Sequence, residues 1–306
     1  MKLYLAGIYT ANFNIDGSLY NRLTENEKWQ RKSATYLLES YHYIHRQRFV
    51  DSIRADKRQV FLDSGAFSAY TQGIEVDLPQ YVEYVRRNED IIEKVEGTLL
   101  ASVLDAVGDP LKTWQNQKEM ERLGVRPLPC FHYGEDERYL EYYVANYDYI
   151  TLGGMVPIAT PQLKIWLDRI WNRYLTDSAG RPKTRVHGFG LTTVSLMERY
   201  PWYSVDSSSW VQTARVGGML LLPEAKVINV SNQSPMRKVQ DQHIDTLSPE
   251  LKKAVEQKLL SCGVDLERMR ETYLARWCYC IWAYDQLGRQ HFQKDPIFEL
   301  EQEELF

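Results

Sequence analysis

Short runs of apolar and β-branched residues recur along the chain at 3–8, 60–63, 98–105, 126–131, 149–152, 185–189, 203–206 and 219–222. Most are nearly continuous in apolar character rather than alternating, the pattern of strands covered on both faces of a parallel sheet. Between them the apolar positions shift to helical spacing, as in Tyr81-Val82 with Tyr84-Val85, and across 111–123, 137–147, 162–175 and 192–200. Start signals precede these stretches: Asp77 with Pro79, Asp109 with Pro110, Asp136, and Thr160 with Pro161 supply caps or first-turn prolines. About eight strand–helix units predict an α/β protein whose residues 1–247 form a (β/α)8, TIM-like barrel rather than an open doubly wound sheet. From 248 onward the pattern is helical only. Ser248-Pro249-Glu250 starts a helix through Leu260, Gly263 stops it, and 265–287 reads as one longer helix ended by Gly288. Residues 248–306 are therefore expected as a C-terminal helical appendage packed on the barrel. Its acidic tail, with Glu299, Glu301, Glu303 and Glu304, would repel phosphate.

Composition adds boundaries to this picture. At 306 residues, 44% apolar and 25% charged, the chain is ordinary for a globular protein, which excludes disordered and fibrous classes. Its 37 Lys+Arg against 41 Asp+Glu leave a net charge of −4, so no basic nucleic-acid module is visible in the total. The local basic stretch holding Arg46, Arg48, Arg54, Lys57 and Arg58 is interrupted by Asp51 and Asp56, and a solvated helix face explains it equally well. High counts of Tyr (21) and Trp (8) suggest stacking surfaces in addition to core. No apolar run approaches the roughly 18 residues of a membrane span, and the opening apolar stretch is too short for a signal peptide. Four cysteines are no disulfide framework, and a cytoplasmic protein without membrane partners is expected.

In a barrel of this type, side chains at the carboxyl ends of strands do the chemistry. Those ends carry Asp63-Ser64-Gly65-Ala66-Phe67, Leu104-Asp105, Phe131-His132-Tyr133, Leu152-Gly153-Gly154-Met155, Val186-His187-Gly188-Phe189-Gly190, and Val205-Asp206. Three carboxylates and two histidines would thus converge on one mouth. A lone aspartate at a strand end is most often a helix cap, but three in this register suggest more. Two carboxylates suit exchange at an anomeric carbon, one attacking and one handling the leaving-group proton. A third, ionised, can accept from both the N1–H and the 2-amino group of guanine. Phe67 and the flat imidazole of His187 could hold such a base between them.

From Asp63 to about Arg215 these residues resemble the tRNA-guanine transglycosylase superfamily, most closely its DNA-modifying branch of phages and some bacteria. That branch replaces guanine in DNA by 7-deazaguanine bases. Asp63-Ser64-Gly65-Ala66-Phe67 looks like the family's Asp-Ser-Gly-Gly-aromatic motif. Leu152-Gly153-Gly154 is similar to its Gly-Gly-Leu segment, and Gly188-Phe189-Gly190 to its Gly-Val-Gly turn. The resemblance implies Asp206 as nucleophile and Asp63 as general acid/base. It also implies a base pocket of Ser64, Phe67, Asp105, His132, Gly153, Gly154, Met155 and His187. Asp105 would read the guanine edge, while His132 and the Gly153–Gly154 amides would meet O6. The target nucleotide would be flipped from its duplex or presented single-stranded, and a 7-deazaguanine would enter as second substrate. Phosphate contacts are expected from Arg215, Arg237 and Lys238. The negative total leaves room for a helper protein that opens DNA.

The departures are informative. His132 or Tyr133 stands where the tRNA enzymes carry a base-reading Gln, and His187 where they carry a stacking Met. Their zinc motif reduces here to Cys278-Tyr279-Cys280, with Cys262 upstream and His291 downstream. Two cysteines two apart in a helix point to different sides, so core cysteine is the expected role, with neither zinc nor any other cofactor. Three alternatives remain beside DNA base exchange. The first is the same chemistry on tRNA, and the second a catalytically silent base-binding subunit. The third is a nucleoside deoxyribosyltransferase, suggested by the opening Leu3-Tyr4-Leu5-Ala6-Gly7.

Overall fold

The computed structural model describes residues 1–10, 18–156 and 158–291. Its centre is a curled sheet of seven parallel strands: β1 (Lys2–Ala6), β2 (Tyr36–Ser40), β3 (Phe61–Asp63), β4 (Cys130–His132), β5 (Tyr149–Gly153), β6 (Arg185–Gly188) and β7 (Ser204–Ser207). Spatial order is β3-β2-β1-β7-β6-β5-β4. Between the two edge strands, Ala101 makes a single parallel bridge to Leu62, and Ser102 makes one to Leu128, just ahead of β4. Helices connect the strands as the sequence spacing predicts, at Leu78–Arg87, Pro110–Arg122, Glu137–Asn146, Thr160–Ile170 and Val194–Arg199. Asp77, Asp109 and Asp136 cap the first three, their carboxylates accepting from the amides of Gln80, Lys112 and Arg138.

Aromatic residues fill the inside of the curl. Tyr4, Leu38, Phe61, Leu100, Leu128 and Tyr149 form one buried cluster, with Phe189 and Tyr203 packed against it. Each such side chain stabilises the fold by about 1.5–3 kcal/mol on burial. Because side chains alternate along a strand, Phe61 and Asp63 share one face of β3, and Ser204 and Asp206 share one face of β7.

Several expectations are corrected. The predicted strand at 219–222 does not join the parallel sheet; Gly218–Leu221 forms an antiparallel hairpin with Lys226–Asn229. The sheet instead gains β2, inserted between β1 and β3, whose buried Glu39 among apolar residues broke the strand pattern. Of 98–105 only Thr98–Leu99 is a strand, paired in a short hairpin with Lys94–Val95. The helix expected over 265–287 is two, Leu266–Glu271 and Tyr273–His291, separated by Thr272 in extended conformation; the second runs past Gly288. The described chain divides into two compact units. One is Tyr36–Ser207 with the N-terminal strand, and the other runs from Ser208 together with the residues just before Tyr36. In the second unit the helices Glu25–Lys32, Ser209–Arg215 and Tyr273–His291 pack together. The acidic tail lies outside the described residues.

Candidate active site

At the end of β3 the chain turns through Ser64 and Gly65 into the helix Ala66–Thr71. Gly65 sits at φ +74°, and a Cβ there would fall 2.5 Å from His42 Cβ and closer still to Ser40 Oγ, so only glycine fits. Its amide donates to Asp63 Oδ2 at 3.0 Å. Ser64 is fully buried; its amide donates to Ser102 Oγ (2.8 Å) and its hydroxyl to Asp105 Oδ1 (2.9 Å). Asp105 is free of capping duty because Asp109 performs it. The segment is further pinned by Asn116, whose amide donates to the Leu104 carbonyl at 2.7 Å.

His132, ending β4, is held on both ring nitrogens, with Nε2 2.9 Å from Asp105 Oδ2 and Nδ1 2.9 Å from Glu135 Oε1. Glu135 also accepts from the His132 amide at 2.9 Å. Burial alone would discharge this imidazole, but the neighbouring Cys130 sulfur, Asp105 and Glu135 outweigh it and hold the ring well above its ordinary range. Burial pushes the Cys130 thiol up as well, so the two carboxylates are the charges that matter. The ring leans over Gly153, where a Cβ would lie 2.8 Å from His132 Cδ2.

On the other side of the curl, Asp206 Oδ1 accepts from the Gly190 amide at 2.8 Å and lies 3.3 Å from His187 Nε2. His187 is fully buried against Phe61, Phe189 and Tyr4, and burial lowers its basicity more than the adjoining Asp206 raises it. Asp63 stands out electrostatically. Burial first, then the negative charges of Asp105 and Asp206, raise its carboxyl to about 7, with the Gly65 and Ser64 amides partly opposing. No protein-family model matches the chain, and no curated protein matches it.

The structure therefore brings Asp63, Ser64, Asp105, His132, Gly153, His187 and Asp206 together in one unit. Two of them do something other than expected. Ser64 spends its hydroxyl on Asp105, and His187, with no exposed surface and both nitrogens engaged, supports Asp206 instead of stacking on a base. Phe67 stands 60% exposed, while Met155 is buried and Gly154 exposed at φ +67°. Arg215, Arg237 and Lys238 are exposed and belong to the second unit, where Arg237 lies 3.6 Å from Asp245. Trp210 is completely buried.

Sequence reasoning missed Glu135, Ser102, Ser204 and Tyr149. Only Glu135 carried a local signal, lying three residues past His132 across the Gly134 turn. Asp105, Cys130 and His132 offer ligand atoms within 4.8 Å of one another and could hold a metal ion, but the histidine as placed is already hydrogen-bonded to Asp105. Cys278 and Cys280 lie buried within one helix, and burial raises the Cys280 thiol to about 12. Among the described residues no helix is long and apolar enough to cross a membrane.

Proposed function

We propose that the protein exchanges guanine in DNA for a 7-deazaguanine base through a covalent aspartyl–glycosyl intermediate. The observation that carries this reading is the trio of carboxylates at strand ends with unequal surroundings. Asp63 is poised near neutrality, while Asp105 and Asp206 are each held by two donors. Environments that separate the proton affinities of neighbouring carboxyls assign acid and nucleophile roles. The reading includes closure of the curled sheet into a (β/α)8 barrel by the segment around Ala101-Ser102, with the site at its carboxyl-end mouth.

In the first half-reaction a carboxylate oxygen of Asp206 forms a bond to C1′ as the C1′–N9 bond breaks. The departing N9 electron pair takes the proton of Asp63. In the second, the incoming base gives its N9 proton to Asp63, bonds to C1′, and releases Asp206. Two inversions return the original sugar configuration. Asp105 accepts from the N1–H and 2-amino groups in both steps, while His132, whose two ring nitrogens are engaged by Asp105 and Glu135, holds that carboxylate in place. One glycoside replaces another, so the exchange requires no redox or energy-supplying cofactor.

The test is incubation of the protein with radiolabelled guanine and either guanine-containing DNA or tRNA, comparing wild type with Asp206→Ala. Label entering DNA, and only with Asp206 intact, is the expected result. Label entering tRNA alone moves the activity to RNA. Guanine bound but never incorporated makes the chain a silent binding subunit.

A further inference from the structure

A buried chain of hydrogen bonds stands behind Asp206. Tyr149 Oη lies 2.6 Å from Ser204 Oγ, Ser204 Oγ 2.6 Å from His187 Nδ1, and His187 Nε2 3.3 Å from Asp206 Oδ1. Strand register builds it: His187 of β6 pairs with Ser204 of β7, and Asp206 lies two residues farther on the same face. The direction of every proton follows from the far end. An ionised carboxylate only accepts, so Nε2 carries the ring hydrogen; a neutral ring then accepts at Nδ1, Ser204 donates there, and Tyr149 donates to Ser204. The Gly190 amide supplies a second donor to Oδ1 at 2.8 Å. Among the described residues no hydrogen bond reaches Oδ2.

We infer that His187 is a positioning residue which, with the Gly190 amide, holds Asp206 Oδ1 and thereby selects Oδ2 as the atom that attacks the sugar. The inference rests on Asp206 being the nucleophile of the exchange proposed above. The Oδ2–C1′ bond forms as C1′–N9 breaks, the N9 pair taking the Asp63 proton; Oδ1 becomes the ester carbonyl oxygen and keeps both donors. A neutral donor suits this task, because it fixes the carboxylate's rotation without giving it a proton. The ring touches no substrate. It acts through the orientation of Asp206, and orientation errors near 1 Å cost on the order of 100-fold in rate.

The experiment uses the full chain with His187→Leu, which suits the apolar surroundings of the ring, and His187→Gln, whose amide retains a donor. Single-turnover capture of guanine-containing DNA as a denaturant-resistant adduct is measured beside the affinity for free guanine. His187→Leu is expected to slow capture about 10–100-fold with guanine affinity unchanged, and His187→Gln to recover much of the rate. Histidine-selective 15N NMR adds a readout independent of turnover: the resonance lost in His187→Leu should report a ring protonated at Nε2 alone. Capture by His187→Leu at the wild-type rate overturns the inference. So does joint loss of guanine binding and capture, or a His187 ring protonated at Nδ1. Failure of wild type itself to form an adduct removes the nucleophile assignment as a whole.

Discussion

Asp63 illustrates how one residue can carry opposite demands. In the proposed exchange its carboxyl must be protonated when guanine leaves and ionised when the next base arrives, and an affinity near 7 serves both. Adduct formation in a single turnover is therefore expected to fall tenfold per pH unit above about 7, as the donor form is lost. A profile flat to pH 9 removes Asp63 from the acid role. The same raised affinity has a consequence for folding. The neutral carboxyl is favoured in the native state, so the group's cost is absent below its unfolded value of 3.8 and accumulates as pH rises towards 7. Asp63→Asn should thus abolish exchange yet stabilise the protein by on the order of a few kcal/mol at pH 8, with little gain at pH 4. Urea unfolding of both proteins at the two pH values decides it.

At the scale of elements, the turn from β3 into the helix Ala66–Thr71 places Asp63 and Ser64 together, and Gly65 makes that turn possible. Gly65→Ala combines a left-handed backbone with an intrusion on Ser40 and His42, and is expected to destabilise by about 2–4 kcal/mol. Thermal unfolding against wild type measures this. Stability unchanged to within experimental error would mean that the turn relaxes freely. This element was legible in the sequence because its information is local: Asp63-Ser64-Gly65 lies contiguously, and Val205-Asp206 ends an apolar run. What was illegible depends on partners distant in the chain. β2 escaped because Glu39 interrupts its apolar run; that carboxyl is buried in the fold, where Oε1 accepts from the Tyr9 amide at 2.7 Å. The 219–222 run has strand composition but finds its partner in Lys226–Asn229, and composition alone does not choose between partners. The role of His187 was likewise hidden, since only the β6–β7 register brings it to Ser204 and Asp206.

For the whole molecule, a net charge of −4 sets the terms on which a polyanion is met. With DNA as substrate, affinity has to come from a small number of local cations, because the summed field repels phosphate. Arg215, Arg237 and Lys238 are exposed members of the second unit, and Arg237 is partly neutralised by Asp245. Arg215 and Lys238 are therefore the better candidates for phosphate contact. Each contact releases counterions, so the slope of log affinity against log salt counts the phosphates engaged. The expected slope is shallow, and Arg215→Ala should reduce its magnitude by about 1 while weakening all sequences alike. Arg237→Ala should change it less, since that guanidinium already lies 3.6 Å from the Asp245 carboxylate. Salt titrations of single-stranded guanine-containing DNA on wild type and the two variants make the comparison. An unchanged slope in Arg215→Ala places the phosphate track elsewhere. The remaining candidates are then Lys238 and the Arg46–Arg58 stretch, whose Arg54 is already paired with Asp90, so Lys238, Arg46, Arg48 and Lys57 would be the residues to remove next.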